Sequence, residues 1–362
     1  MTDLGMKDAG LDAVPDGGTP GNAMFSSSAA AGRSAGPGPV ISGTAASRRR
    51  HLATTLRAAL PAVAFAVLLG TIFAQQPRTM SYLGLNLLLN LALPVVLATM
   101  AQMLVIMLGD LDLSIGPFVS LVTCIGSAVL PARPVAGVAL LALAVAGYAA
   151  TGALIGARNL PAIVVTLGLS FVWLGLAVIL LPTPGGLAPE WLSSLMRTRT
   201  PGMPLVLWAS VGIALLMHVG LMRSALGTVM RGMGGNPRAV ARAGWSLLRL
   251  RVLVYALAGG FGVLAGLALL GLTTSGDANL AGRYTLLSIA AVILGGGEFT
   301  GGRLSPSGAV LGALTLTLAA SLLTFLNVPQ DWQIGVQGGI LIAVLALRAG
   351  IERIGRPDTA AA

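Results

Sequence analysis

Asp110 and Asp112 stand two residues apart in the stretch GDLDLSIGPFVSL (109–121) and interrupt an apolar region running from about Leu83 to Leu130. A carboxylate at mid-membrane costs ~2.5–3.5 kcal/mol even on the lenient insertion scale, so such a group faces protein, water or a partner. Two chemistries fit the spacing. In the first, Asp112 or Ser114 caps the helix that follows, both carboxylates favour its positive end, and Pro117 sits in a first turn that tolerates it. In the second, Asp110, Asp112, Ser114 and Gly116 form a broken helix beside a solute path. Gly295 and Gly296, followed by Glu298, mark another path element or helix break; Glu298 either makes a specialised contact or pairs with Arg303 at a span end.

The other reactive groups narrow the chemistry. Cys124 is the single cysteine and lies in apolar sequence, which excludes a disulfide framework and a Cys/His metal cluster. His51 and His218 are far apart in sequence, and His218 reads as an interfacial side chain or as a proton carrier. Lys7 is the only lysine. A Walker A loop, G-x-x-x-x-G-K-[ST], uses its lysine to reach the phosphates, so this chain carries no P-loop ATPase site. No catalytic residue, cofactor or metal is expected here. If ATP drives transport, the ATP and its Mg are held by another polypeptide.

The elements holding these residues follow from composition. Of 362 residues, 55% are hydrophobic and 9% charged, with a mean hydropathy of +0.87, more apolar surface than a water-soluble core of this size requires. Apolar runs near 58–75, 84–108, 114–131, 135–156, 161–181, 204–222, 251–272, 284–297, 307–326 and 332–350 predict an all-α polytopic membrane protein of about ten transmembrane helices. The third begins directly after the two aspartates and the eighth is short, so either suits a broken or re-entrant helix. Residues 1–50 read as a disordered cytoplasmic tail, 51–350 as the transmembrane domain and 351–362 as a short cytoplasmic tail.

Arginine placement sets the orientation. With the amino terminus inside, Arg158, Arg223, Arg231, Arg238, Arg242, Arg249, Arg251, Arg303 and the terminal arginines fall on the cytoplasmic side, against Arg78, Arg133, Arg197, Arg199 and Arg283 outside. Both termini are expected in the cytoplasm. The net charge of +10 then belongs to the inner face and its anionic lipids, and a nucleic-acid partner is not expected.

That orientation makes residues 223–250, RSALGTVMRGMGGNPRAVARAGWSLLRL, the longest internal cytoplasmic loop. Gly234 and Gly235 give a flexible entry, Asn236 is a strong N-cap, and Pro237 suits the first helical position. Ala239 to Ala243, including Arg242, favour helix, and Gly244 can end it in the left-handed conformation. The loop predicts a capped two-turn helix on the face where a motor would engage. Its arginines, Arg231 among them, also satisfy the positive-inside rule alone.

Three segments carry a resemblance to a family. GGNPRAVARAGW is similar to the GGN-x-x-A-A-x-x-x-G segment of bacterial ABC importer permeases of the ribose type. GDLDLSIGPFVSL resembles the family's G-G-I-D-L-S-V-G stretch, and AAVILGGGEFTGGRLSPSGAVLGAL (290–314) its A-A-V-V-L-G-G-x-x-x-x-G-G segment, in the same order and over roughly residues 55–350. Glu298, Phe299, Thr300, Leu304 and Pro306 depart from the pattern. The resemblance implies the ABC importer permease fold in the bacterial inner membrane. It also implies a second permease subunit, homodimeric here, cytoplasmic ABC ATPase subunits docked on short coupling helices, and a periplasmic or lipoprotein solute-binding protein. A monosaccharide or related small polar solute is the implied cargo, with amino acids and nucleosides open through relatives. Two further classes stand beside it: a secondary transporter driven through Asp110, Asp112 and Glu298, and a membrane protein with a structural or receptor role.

Overall fold

A computed structural model describes residues 43–329 and isolated positions between 332 and 346, with side chains described from Ala59 onward. The tail residues 1–42 and 351–362, and most of the span expected at 332–350, lie outside the described residues. The unit treated below is Ala45–Ala362.

Helix α1 (Gly43–Gln75) begins inside the segment expected as tail, and its apolar part is Ala59–Gln75. A 3-10 turn at Pro77–Met80 leads to α2 (Tyr82–Leu89), capped by Ser81, whose hydroxyl oxygen accepts from the Gly84 N–H at 3.1 Å. After a 43° bend comes α3 (Ala92–Met107), buried at every position and therefore the centre of the bundle. The chain continues through α4 (Ile115–Ala128), α5 (Pro134–Arg158), α6 (Ala162–Leu180), the short α7 (Glu190–Met196) and α8 (Leu205–His218). A π-helical turn at Val219–Arg223 extends α8, and α9 (Ala225–Gly235), α10 (Pro237–Arg242), α11 (Leu247–Thr273), α12 (Tyr284–Leu294) and α13 (Pro306–Phe325) complete the described helices. Among the described residues there is no strand, only an isolated bridge between Gly185 and Gly276.

The protein is an all-α polytopic membrane protein. Five helices, α5, α6, α8 with its extension, α11 and α13, are long and apolar enough to cross a membrane, and the bent pair α2–α3 makes a sixth. The ten expected spans are not all of that kind. The runs at 114–131 and 284–297 yield helices of 14 and 11 residues, about 21 and 17 Å long, short of the ~30 Å hydrocarbon thickness. Both are cut at their breaks: α4 cannot start before the turn at Asp112–Ser114, and α12 ends where Gly296 turns left-handed at φ +97°. α11 packs on α3, α4 and α5, and α13 on α3 and α12. Gly152 lies against the Tyr255 ring and Gly259 against Tyr148, so α5 and α11 approach closely at two points where a Cβ would collide.

Candidate functional site

Helix α10 is exposed at every position but one. The Asn236 side-chain oxygen accepts the Ala239 N–H at 3.1 Å, Pro237 opens the helix, and Gly244 leaves it at φ +85°. Arg238, Ala239, Ala241 and Arg242 are exposed; Val240 alone is buried, against Gly232 of α9. Arg231 lies on α9, its guanidinium donating to the Thr228 hydroxyl oxygen at 3.3 Å.

At the end of α9 the chain forms a junction made of backbone. The Gly302 N–H donates to the Met107 carbonyl at the end of α3 (2.9 Å), and a Cβ on Gly234 would overlap both partners. Gly109, Gly301 and Gly302 take left-handed conformations at φ +80°, +78° and +75°, and Gly301 abuts Gly109 and Gly234. The three segments singled out in the sequence, 109–121, 223–250 and 290–314, thus touch one another at Gly109, Gly234 and Gly301. Gly295 ends α12 against the backbone of Gly308 and Ala309, fixing α12 on α13. Beside the junction is a cleft of about 510 Å³ walled by Arg231, Gly235, Glu298 and Arg303, in which the Arg303 guanidinium lies 3.6 Å from the Glu298 carboxylate.

Asp112 and Asp110, read together in the sequence, separate in the structure. Asp112 is buried, and one carboxylate oxygen accepts both the N–H and the hydroxyl of Ser114, each at 2.7 Å. The other accepts the Tyr148 hydroxyl at 2.6 Å. With its amide turned so that nitrogen faces the Asp112 carbonyl, the orientation that satisfies both groups, Gln102 donates to that carbonyl (3.1 Å) and accepts from the Asp112 N–H (3.3 Å). Asp112, not Ser114, supplies the turn that starts α4, and its hydrogen bonds point into protein. Asp110 contacts Arg251 at 3.5 Å and accepts the Tyr255 hydroxyl at 3.2 Å, away from the α4 terminus, at the edge of a second cleft of about 370 Å³.

The stretch 109–114 is not helical, so its backbone groups need partners from elsewhere. The Thr166 hydroxyl oxygen accepts the Leu113 N–H, and the hydroxyl lies 3.1 Å from the Leu111 carbonyl; farther on, the Gly116 N–H donates to the Thr285 hydroxyl oxygen at 3.0 Å. Irregular backbone at membrane depth persists only with such compensation. Gln102, Tyr148, Thr166, Arg251, Tyr255 and Thr285 did not stand out in the sequence. The available signal was a polar side chain inside an apolar run, which identifies no partner. Thr285→Val leaves the buried Gly116 N–H unpaired, at about 1–3 kcal/mol. A melting temperature several degrees below wild type in detergent is expected, with Thr285→Ser close to normal.

Comparison with known proteins places the chain among permeases. The family model described as branched-chain amino acid transport system / permease component matches residues 84–345. The chain is 30% identical over 311 residues to the autoinducer 2 import system permease protein LsrC of Salmonella typhi, covering 82% of this chain and 87% of that protein. It is 30% identical over 289 residues to the protein of the same name from Escherichia coli K12 / DH10B, covering 77% and 82%. The probable ABC transporter permease protein YphD of Escherichia coli K12 is 29% identical over 277 residues, covering 73% and 82%. No solved structure matches the chain.

Proposed function

The chain belongs to the branched-chain amino acid transport system / permease component family, and on that premise we propose that it is the membrane-spanning subunit of an ATP-binding cassette importer for a monosaccharide or related small polar solute. The supporting observation is α10, an exposed helix with its own cap and stop that packs on α9, the element whose Gly234 meets the end of α3 and the α12–α13 loop. A capped helix that continues from the element touching the central helix is what a partner needs in order to move the core.

In this reading residues 231–244 receive the force of ATPase subunits that bind ATP and Mg. The α10 end faces the cytoplasm, the protein crosses the bacterial inner membrane ten times, both termini are cytoplasmic, and residues 1–50 and 351–362 are tails on the transmembrane domain 51–350. A second copy of the chain encloses the path, and a periplasmic or lipoprotein binding protein delivers the solute. Two relatives are named for autoinducer 2 import, which suits a small polar cargo. Transport proceeds by alternating access, the two permease subunits reorienting as the motors close. Asp110, Asp112, Ser114 and Gly116 on one side, and Gly295, Gly296 and Glu298 on the other, hold the two broken helices in register.

Uptake into proteoliposomes containing the full complex and enclosed ATP tests the proposal. Uptake is expected to require ATP and to persist when proton and sodium gradients are collapsed; uptake driven by a gradient without ATP would replace it with the secondary-transporter reading. Within α10, Asn236→Ala removes a cap of about 1 kcal/mol. Solute-stimulated ATPase activity is expected to fall several-fold, and Asn236→Ser to restore it.

A further inference from the structure

The segment after α11 turns back into the bundle. α11 is 27 residues long, about 40 Å, and runs in the same direction as α4: Gly262 meets Phe118, Gly266 meets Val122 and Leu270 meets Gly126. From Thr274 the chain reverses along α4. Gly276 rests against Thr123 and Ser127, the Thr123 hydroxyl approaches the Asp277 carbonyl at 3.4 Å, and the Ala281 N–H donates to the Ser120 hydroxyl oxygen at 2.9 Å. The descent ends where Thr285 takes the Gly116 N–H. Residues 276–285 therefore track α4 from its last turn to its first, a drop of about 16 Å, and finish level with the middle of α11.

One side of this segment is packed: Gly276, Ala278, Ala281, Tyr284 and Thr285 are buried. The other side is open, with Asn279, Gly282 and Arg283 exposed and Leu286 exposed to 73%. The sequence assigned Arg283 to the outer flank; the structure carries it halfway into the longest span. The ion pairs among the described residues are Arg251–Asp110 and Arg303–Glu298, and neither involves it. A guanidinium at that depth does not face hydrocarbon, and non-helical backbone there is tolerated only inside protein or beside a water-filled cavity.

We propose that Asn279, Gly282, Arg283 and Leu286 line the solute path, and that the Arg283 guanidinium binds the oxygen atoms of the passing solute. Its donors suit hydroxyl, carbonyl or carboxylate oxygens and give no hold on a cation. Depth in the bundle and exposure of the side chain together point to the path. It deepens the permease reading, which fixes that there is a path to line.

Single cysteines at 279, 283 and 286, with Phe171→Cys on α6 as a lipid-facing control at 68% exposure, test this in membranes holding the full complex. Cys124 is buried. A methanethiosulfonate bearing a permanent trimethylammonium charge reacts only where water reaches. Asn279→Cys, Arg283→Cys and Leu286→Cys are expected to react at least tenfold faster than Phe171→Cys. Reaction of all three at the control rate would overturn the proposal, and if Arg283→Cys fails to accumulate, the other two decide. Arg283→Gln is expected to cut uptake at least tenfold and Arg283→Lys far less; undiminished uptake by Arg283→Gln would remove the solute contact. Labelling reports water access whatever drives transport, so its failure is distinct from failure of the ATP-driven reading.

Discussion

Gly234→Val is expected to reduce ATP-dependent uptake below a tenth of the wild-type rate, while Gly235→Ala, one position along, transports normally. The two glycines look interchangeable in the sequence, yet only the first has no room. A Cβ at 234 would overlap the Met107 carbonyl and the Gly302 amide, backbone atoms that cannot swing aside as a side-chain tip would; at 235 it would meet nothing within 4 Å. Overpacking of this kind costs about 1–3 kcal/mol or more and forces the neighbouring backbone apart. The expected consequence is a handle parted from the α3 terminus, with the Gly302–Met107 hydrogen bond broken. Uptake and yield of the assembled complex, measured for both variants, check the claim. Equal uptake by the two would show that the junction does not transmit force.

Asp112 carries the second large effect. Asp112→Ala strips the acceptor from the Tyr148 hydroxyl and from the N–H and hydroxyl of Ser114; the two hydroxyls, 3.2 Å apart, can pair with each other, which leaves the Ser114 N–H and one hydroxyl donor unmade in a buried site at about 1–3 kcal/mol each. The protein is expected not to accumulate in the membrane. Asp112→Asn keeps one carbonyl oxygen for Ser114, and the Tyr148 hydroxyl can rotate to accept from the new amide. That variant is expected to accumulate and to retain at least half of wild-type uptake. A solute-contacting carboxylate would give the opposite pattern, with Asp112→Asn stable and inactive, so expression and uptake together separate the cap from the path.

How much of this was legible in the sequence depends on how local each cause is. Asn236, Pro237 and Gly244 act within a few residues of themselves, and the helix they predict is present with those bounds. The turn at Asp112 was legible in kind, since an aspartate two residues before a free N–H commonly caps. Its other partner, Tyr148, lies 36 residues away on α5 and carried no mark beyond being a tyrosine in an apolar run. Asp110 was grouped with Asp112 by spacing alone, whereas the irregular backbone of 109–114 parts them: Asp110 meets Arg251 and Tyr255, and Asp112 meets Ser114 and Tyr148. The descent of residues 276–285 was the least visible. Hydropathy windows detect apolar helices, and this stretch is polar, non-helical for most of its length, and held by small residues against a helix 160 positions earlier. The Glu298–Arg303 pair, by contrast, spans five residues, and the two side chains are within ion-contact distance.

In the proposed mechanism force enters the permease through α10. Replacing residues 236–244 by a Gly-Ser linker of equal length, in the complete complex reconstituted with enclosed ATP, tests it most directly. ATP-dependent uptake is expected to disappear while the melting temperature of the transmembrane core stays within a few degrees of wild type, because Val240 is the only side chain of α10 buried against the bundle. Uptake at the wild-type rate by the linker variant would contradict it.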